Sequence, residues 1–449
     1  MPILRSLTLL ALGLAAAPLS AAETFSLRED PSAGATRSVV ADVTGEGTFE
    51  FQPPEREAKP VTHPVTLKGS FRFAERRLPP AGRDEAAFRA LRRFQEARSE
   101  IRVGGQTSVP RLRDERANVV ARGTRKGVSS YSPDGPLTAT EAELLPFPGD
   151  PLLLAALLPS REVTVGETWT PDAWVAPAMA GAEVSLNSKM TCRLESVRDG
   201  RATVRFDGEV EGATKGATSK TALSGTLGYD VAAAAVVAAE LTHTEKRSIG
   251  PLAPGMSLTL KSVVQRTPAP ADAAIADAET AAVPLDPPAE ALWIEHAAPF
   301  GVTLAAERDW QVFHQTGQLV ILRLLDQGGL VAQCNVAPAP KVKPGERTPE
   351  RQFQEDIRRS LGEQLSEITA AEEIQNGTGL AVYRVTATGK VRESDRLWRY
   401  YLVTAPDGRQ AAFVFTIEPA TLGRLGKRDL ELVLSATFPP QSEPTPARR

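Results

Sequence analysis

The strongest constraint in this sequence is a strict alternation of apolar and polar residues that recurs between residues 65 and 264. Four segments show it most clearly: Val65–Phe73, Ala202–Val210, Leu223–Tyr229 and Met256–Val264. A period of two places the apolar side chains on one face of a strand, and a polar opposite face is typical of antiparallel sheets. The pair Asp199-Gly200 ends one of these patterns and favours a tight hairpin turn. The sequence therefore predicts antiparallel sheets that bury one face.

A segment rich in proline, alanine and acidic residues, 267–290, predicts a semi-extended linker between two regions. Residues 23–266 form the mostly β region, and 291–438 form a second domain. The first region divides further into possible halves, 23–150 and 151–266, because Leu157–Trp169 has the pattern of a second start. Two sheets side by side, or one large curved sheet with a helix on its face, fit this region equally well.

One helix is expected in the first region, from Asp84 to about Ser99. Its apolar residues recur at helical spacing, and arginines fill the other face. If such a helix crosses the concave face of a curved sheet, it can enclose a cavity of lipid size. The candidate cavity residues are then Phe88, Leu91 and Phe94.

The second region mixes strand and helix patterns. Two short strands and a hairpin come first, and a helix then opens at Thr348-Pro349 and runs to about Leu365. A three-strand meander and a closing helix from Pro419 follow. This order predicts an α+β domain with an antiparallel sheet.

With its landmark phrases Glu307–Val312 and Ser435–Phe438, this order of elements resembles the Mog1/PsbP-like fold, an antiparallel sheet with flanking helices. The resemblance implies binding, chaperone-like or photosystem-assembly roles and no common catalytic residues. The phrase Leu158–Trp169 resembles the LPxxxVxVGExW phrase of long uncharacterised exported proteins of planctomycete-type bacteria. That likeness implies no activity.

Residues 1–22 resemble a cleavable signal peptide. Arg5 precedes an apolar stretch, Leu7–Ala17, and Ser20-Ala21-Ala22 has the small-x-small pattern of a cleavage site. We therefore expect export to the periplasm or the medium, with no later membrane-spanning segment. The residues after 438 are proline-rich, and 439–449 is expected to be a disordered tail. The two cysteines, Cys192 and Cys334, lie on the apolar side of strand patterns and are expected to be separate buried thiols rather than a disulfide.

The charge balance is close to neutral, with a net charge of −3, and gives no support for nucleic-acid binding. Basic residues are concentrated between Arg72 and Lys126. A solvated face with internal ion pairs is one interpretation of this segment, and a patch for an anionic surface or polymer is the other.

No pattern for known site chemistry is present. The four histidines, which are His63, His243, His296 and His314, have no zinc-ligand spacing. Only His296 has an acid and an aromatic residue close by. No Gly-x-Ser-x-Gly motif occurs, and Gly212–Lys220 lacks the spacing of a phosphate loop and reads as a hairpin tip. We therefore expect no catalytic residues, no metal site and no cofactor.

Three functions remain open at this point. The first is a non-catalytic envelope protein that binds or assembles an unknown partner. The second is a carrier or sensor of an apolar ligand in the cavity beneath helix 84–99. The third is a hydrolase that uses a pair of carboxylates.

Overall fold

The computed structural model describes residues 23–29, 34–52, 59–79, 88–125, 127–214, 216–250, 254–326 and 329–439. The predicted signal peptide, 1–22, and all but the first residue of the predicted tail lie outside the described residues. The strands in chain order are β1 (Thr24–Phe25), β2 (Arg37–Phe51), β3 (Val61–Leu78), β4 (Arg89–Val103), β5 (Gln106–Ser108), β6 (Asn118–Thr124), β7 (Gly127–Tyr131), β8 (Leu137–Thr138), β9 (Val163–Thr164), β10 (Thr168–Trp169), β11 (Val184–Arg198), β12 (Arg201–Thr214), β13 (Ala217–Asp230), β14 (Ala235–Arg247), β15 (Gly255–Pro268), β16 (Ile294–Ala298), β17 (Val302–Ala306), β18 (Trp310–Thr316), β19 (Leu319–Asp326), β20 (Gly329–Ala339), β21 (Leu365–Ile374), β22 (Ala381–Val391), β23 (Ser394–Thr404) and β24 (Gln410–Ile417). The α-helices are α1 (Ala139–Leu144), α2 (Pro151–Ala155), α3 (Val175–Ala180), α4 (Asp277–Ala281), α5 (Glu350–Leu361), α6 (Leu422–Leu425) and α7 (Arg428–Leu434).

The prediction of a mostly β chain with antiparallel sheets is confirmed. Within the described ranges, twelve strands of the first region form one sheet in the order β10-β11-β12-β13-β14-β15-β2-β3-β4-β6-β7, with β5 on β4. Strand β15 pairs with β2, and Val264 lies opposite Ala41. Both predicted halves therefore contribute strands to a single sheet. The turn at Asp199-Gly200 has positive φ at both residues, as a hairpin of this kind requires.

One face of the sheet, called here the inner face, carries the main core. The segment from β8 to α3, residues 137–182, covers much of this face with buried side chains such as Phe147 and Leu154. Inner-facing glycines allow close cross-strand packing. At Gly225 a Cβ would lie 2.7 Å from the Phe206 ring and 2.1 Å from the Glu240 carbonyl oxygen. Phe206 can therefore lie flat over β13, where a larger residue would force the strands apart.

The expected helix Asp84–Ser99 is wrong. From Arg89 onward this stretch is strand β4, which pairs with β3 on one side and with β5 and β6 on the other. The residue types favour a helix, but tertiary packing overrides propensity of this size. Arg92 can be buried in this strand because its guanidinium pairs with Glu75 and Asp150. Residues 84–87 of the predicted helix lie outside the described residues.

The predicted linker packs in part against the outer face of the sheet. Ile275 is buried beside Leu91 and Val120. Arg76 donates to the carbonyl oxygen of Ile275 at 2.7 Å and pairs with Asp277. The segment thus buries a side chain that its composition gave no reason to expect.

The arginines of the basic segment Arg72–Lys126 are largely engaged in ion pairs. Arg72 and Arg98 both pair with Glu96, and Arg93 pairs with Glu279 in α4. These partners lie on the same strand, on the neighbouring strand and in α4, so the segment has internal charge compensation and no helical polar face.

The second region contains a seven-stranded antiparallel sheet in the order β18-β19-β20-β24-β23-β22-β21. Helix α5 packs on one face through Phe353, Ile357 and Leu361. Helices α6 and α7 and the β16–β17 hairpin cover the other face. The predicted hairpin, helix and meander all occur within a few residues of their expected positions. The predicted single closing helix is instead divided at Gly426, where positive φ ends α6 before α7 begins. Strand β21 was not predicted, since nearly all of its side chains are exposed and it shows no alternation.

Direct contacts join the two regions. Strand β8 pairs in parallel with β16, with Leu137 opposite Ile294. The Arg113 guanidinium donates to Glu141 at 2.8 Å and to Glu295 at 3.3 Å. Arg308 donates to the carbonyl oxygen of Ser130. The second region is therefore anchored to the segment that covers the inner face.

The two cysteines are separate buried thiols, as expected. Cys192 lies in the main core and Cys334 in the core of the second region. Burial raises the pKa of the Cys192 thiol to about 12. In the part of the chain that the structure covers, no helix has the length and apolar character that crossing a bilayer requires.

Candidate functional site

The structure does not bring the three candidate cavity residues together. Phe94 packs in the main core, with its ring 4.7 Å from that of Phe73. Leu91 points to the outer face and packs near Ile275, because side chains alternate along β4. Phe88 packs against a separate small cluster that contains Leu152. The predicted cavity depended on a helix that is absent, so these residues belong to packing.

The histidines are scattered, and no group of three or more His, Cys, Asp or Glu residues able to hold a metal occurs within the described ranges. His296, the one histidine with a neighbouring acid and aromatic residue, lies on β16 where the two regions meet. Burial lowers the pKa of His296 to about 4. Its Nε2 atom is buried without a partner among the described residues. The imidazole is therefore neutral near pH 7.

This pKa predicts an acid sensitivity. The unfolded chain protonates His296 near pH 6.5, whereas the folded chain resists protonation until about pH 4. Its contribution to stability is therefore complete above pH 6.5 and is lost as the pH falls toward 4. Allowing for partial exposure, we expect a loss of about 1–2 kcal/mol between pH 7 and pH 5. Urea unfolding should show this loss in the parent chain and not in His296→Gln. Exposed His314→Gln is the control, and an unchanged pH profile in His296→Gln would contradict the assignment.

A cleft at one end of the large sheet is the strongest candidate site. The strands β11 to β14 end together there because they are antiparallel, and Gly212, Ser219 and Arg247 form a row across three of them. The cleft has a volume of about 490 Å³, within the range of small-molecule sites. Its lining consists of Leu186, Glu211, Gly212, Thr218, Ser219, Lys220, Lys246, Arg247 and Ser248.

A β-bulge supplies the apolar part of this cleft. Ser185 and Asn187 pair with consecutive residues of β12, so Leu186 is the extra residue between them. Bulges re-aim side chains, and Leu186 is 77% exposed. A single exposed apolar side chain is common on protein surfaces, so Leu186 matters here through its position in the cleft. It gives the cleft an apolar element beside its charged residues.

The cleft has an excess of positive charge. It contains three cations, Lys220, Lys246 and Arg247, and one carboxylate, Glu211. The Lys220 ammonium lies 2.7 Å from Glu211, and this hydrogen bond raises the pKa of Lys220. Lys246 is exposed and makes no ion pair with any described residue. The exposed Lys246 ammonium can therefore attract an anionic group to the cleft, and Arg247, which pairs with Glu245 on the other face of β14, adds positive charge nearby.

Arg247 connects the cleft to a polar row on the inner face. His243, Glu245 and Arg247 alternate along β14 and face the same side, with Glu245 3.8 Å from each of its neighbours. Arg247 Nε and His243 Nδ1 are buried and have no hydrogen-bond partner among the described residues. A donor left without an acceptor costs about 1–3 kcal/mol. Arg247 thus keeps one buried donor without an acceptor among the described residues, while its Nη1 atom lies 3.8 Å from Glu245.

Two other cavities are less suited to a ligand. One of about 350 Å³ in the second region contains Arg347 and Glu373, which already pair with each other. A groove of about 300 Å³ crosses the outer face of β12 to β15 near Arg205 and Lys261. The first has no strongly exposed apolar side chain in its lining, and the exposed apolar residue of the second, Val263, is 48% exposed against 77% for Leu186.

Sequence reasoning identified one segment of this cleft but did not predict that it lines a cleft. Gly212–Lys220 was expected to be a hairpin tip, and its described residues do form the β12–β13 hairpin end. The charges of Lys246 and Arg247 after an alternating strand were visible, but the bulge at Leu186 was not. A bulge follows from how two strands pair, which one strand's pattern does not reveal.

No protein-family model and no curated protein matches the chain. Among solved structures, DynF from the dynemicin pathway of Micromonospora chersina aligns at 11% identity over 56% of this chain and 86% of its own, with a TM-score of 0.15. The translocator domain of the autotransporter NalP from Neisseria meningitidis aligns at 10% identity over 86% and 88%, with a TM-score of 0.10. OmpT with loop L8 deleted, from Vibrio cholerae, aligns at 9% identity over 86% and 99%, with a TM-score of 0.13. Likenesses this slight carry no argument about fold or function.

Proposed function

We propose that this chain is an exported, non-catalytic binding protein that holds amphipathic anions in the cleft at the end of β11 to β14. The observation that carries the proposal is that exposed Leu186, on β11, lines the same cleft as Lys246 and Arg247, on β14. An amphipathic anion has an apolar chain and a charged head, and the cleft offers a partner to each. A long-chain carboxylate is the simplest ligand of this class.

The geometry favours binding over hydrolysis in this cleft. Glycosidase chemistry needs two carboxylates that face each other. The cleft has only Glu211, and Lys220 neutralises it. The proposal therefore develops the carrier alternative at a new position, away from Phe88, Leu91 and Phe94, and leaves the hydrolase aside.

Three further assignments stand as proposals on sequence grounds. Export depends on the signal-peptide pattern of residues 1–22. Membership of the planctomycete-type exported family depends on the phrase Leu158–Trp169. A Mog1/PsbP-like assignment for 291–438 is supported by a seven-stranded antiparallel sheet that has α5 on one face and α6 and α7 on the other.

A titration with a fluorescent long-chain fatty acid tests the binding site. Charge-assisted hydrogen bonds contribute about 1.5–3 kcal/mol, so Lys246→Ala combined with Arg247→Ala should weaken binding about 10- to 100-fold. Lys189→Ala is the matched control, because Lys189 is exposed on β11 and pairs with Glu209 outside the cleft. Equal affinity of the double variant and the control would refute the proposed site.

A further inference from the structure

A second polar site lies inside the molecule, and it shares no residue with the cleft. Six charged side chains meet between the sheet and α2, and every one is at most 7% exposed: Glu29, Glu75, Arg77, Arg92, Asp150 and Arg266. Three are cations and three are anions. Charges this deeply buried persist only when they are paired and hydrogen-bonded.

The pairing inside this cluster is extensive. Arg92 binds both oxygens of Asp150, at 2.8 and 2.6 Å, and its Nε donates to Glu75 at 3.0 Å. Arg266 donates to Glu29 at 2.8 Å and to Glu75 at 3.3 Å. Burial alone would raise the pKa of Glu75, but Arg77, Arg92 and Arg266 outweigh it and hold that pKa at about 2. Glu75 is therefore ionised, and each of the three carboxylates has at least one arginine partner.

Donor capacity nevertheless remains. Arg77 Nη1 and Arg266 Nε are buried and have no acceptor among the described residues. Both side chains line a small cavity together with Glu29, Glu75 and Arg37. The cavity has a volume of about 20 Å³, which is enough for one molecule or ion of about the size of water.

Arg37 makes this cavity electrically positive. It is half-buried, and its guanidinium donates to the carbonyl oxygen of Ala233 at 3.5 Å. No described carboxylate forms an ion pair with it. The six buried charges cancel, so Arg37 adds one positive charge at the cavity, which Glu29 and Asp230 offset only from beyond ion-pair distance.

We propose that this cavity binds one small monovalent anion of halide size, held by Arg37, Arg77 and Arg266. Such an ion accepts from both spare donors and supplies the missing negative charge. A water molecule would satisfy the donors and leave Arg37 uncompensated. Phosphate and carboxylate ligands are too large for the space. The site is independent of the cleft, so a negative result for the anion would leave the proposed function unaffected.

Thermal unfolding at constant ionic strength tests the proposal, with chloride replacing gluconate stepwise. A ligand that binds only the folded chain raises its Tm with saturation. Removal of one charge that lines the cavity is expected to change anion affinity by roughly tenfold, so Arg37→Gln should shift the half-maximal chloride concentration upward by about that factor. Because Arg37 is half-buried and has no described ion pair, this variant is expected to fold.

Arg98→Gln is the matched control, since Arg98 is exposed and pairs with Glu96 on the same strand. Its chloride response should equal that of the parent chain. The chlorine-35 NMR line width of a chloride solution gives a second readout, with excess broadening expected for the parent chain and much less for Arg37→Gln. Equal chloride responses in Arg37→Gln and Arg98→Gln, or no excess broadening in the parent chain, would overturn the proposal.

Discussion

Replacement of Arg92 by alanine should destabilise the protein by about 3–5 kcal/mol, because it leaves Glu75 and Asp150 buried without their main cation. Arg92 is 1% exposed and its guanidinium also lies 5.0 Å from the centre of the Phe73 ring. Asp150 further caps α2 through the Leu152 amide at 2.9 Å. The substitution should therefore destabilise both the sheet and the segment that covers its inner face.

Urea unfolding of Arg92→Ala beside Arg98→Ala measures this effect. Arg98 lies on the same strand, but its side chain is 64% exposed and its ion pair with Glu96 faces solvent. Exposed pairs contribute about 0–1 kcal/mol. If the two variants lose similar stability, the buried pairs do not organise β4, and the explanation given above for the absent helix fails.

Replacement of Phe206 by alanine should have a comparable effect, a loss of about 3–5 kcal/mol. Phe206 is completely buried in the main core, and its ring occupies the space over Gly225. Removal of the ring leaves a cavity that the strands cannot close, because their spacing is fixed by backbone hydrogen bonds.

A second substitution tests whether the Phe206 ring or the backbone limits the size of the residue at position 225. Gly225→Ala should also destabilise, since its Cβ would meet both the Phe206 ring and the Glu240 carbonyl oxygen. Phe206→Ala should not rescue Gly225→Ala, because the clash with the backbone oxygen remains. Phe313→Ala, at a 44% exposed position, is the control and should cost about 1 kcal/mol or less. A full rescue in the double variant would show that the ring alone sets the strand spacing.

The sequence was sufficient for the strands that bury one face. The alternation in Ala202–Val210 and Leu223–Tyr229 corresponds to β12 and β13, and the Asp199-Gly200 turn lies where it was expected. Helix α5 was also predictable, because Phe353, Ile357 and Leu361 recur every four residues. In these elements the local pattern and the tertiary packing agree.

Strand β4 and the cleft could not be predicted in this way. The residues Arg89–Ser99 carry helical spacing and helix-favouring types, and only distant partners such as Asp150 and Glu75 make a buried strand favourable. Likewise, the cleft depends on the bulge at Leu186 and on Arg247 lying across from Ser219. Pairing between segments far apart in sequence decides both features.

The central claim concerns the class of ligand, and one comparison tests it most directly. Isothermal titration of the parent chain with dodecanoate and with dodecanol compares two molecules that share an apolar chain and differ in the charged head. We expect dodecanoate to bind about tenfold or more tightly than dodecanol, with an affinity that falls as salt screens Lys246 and Arg247. Equal binding of the acid and the alcohol, or binding of neither, would contradict the account.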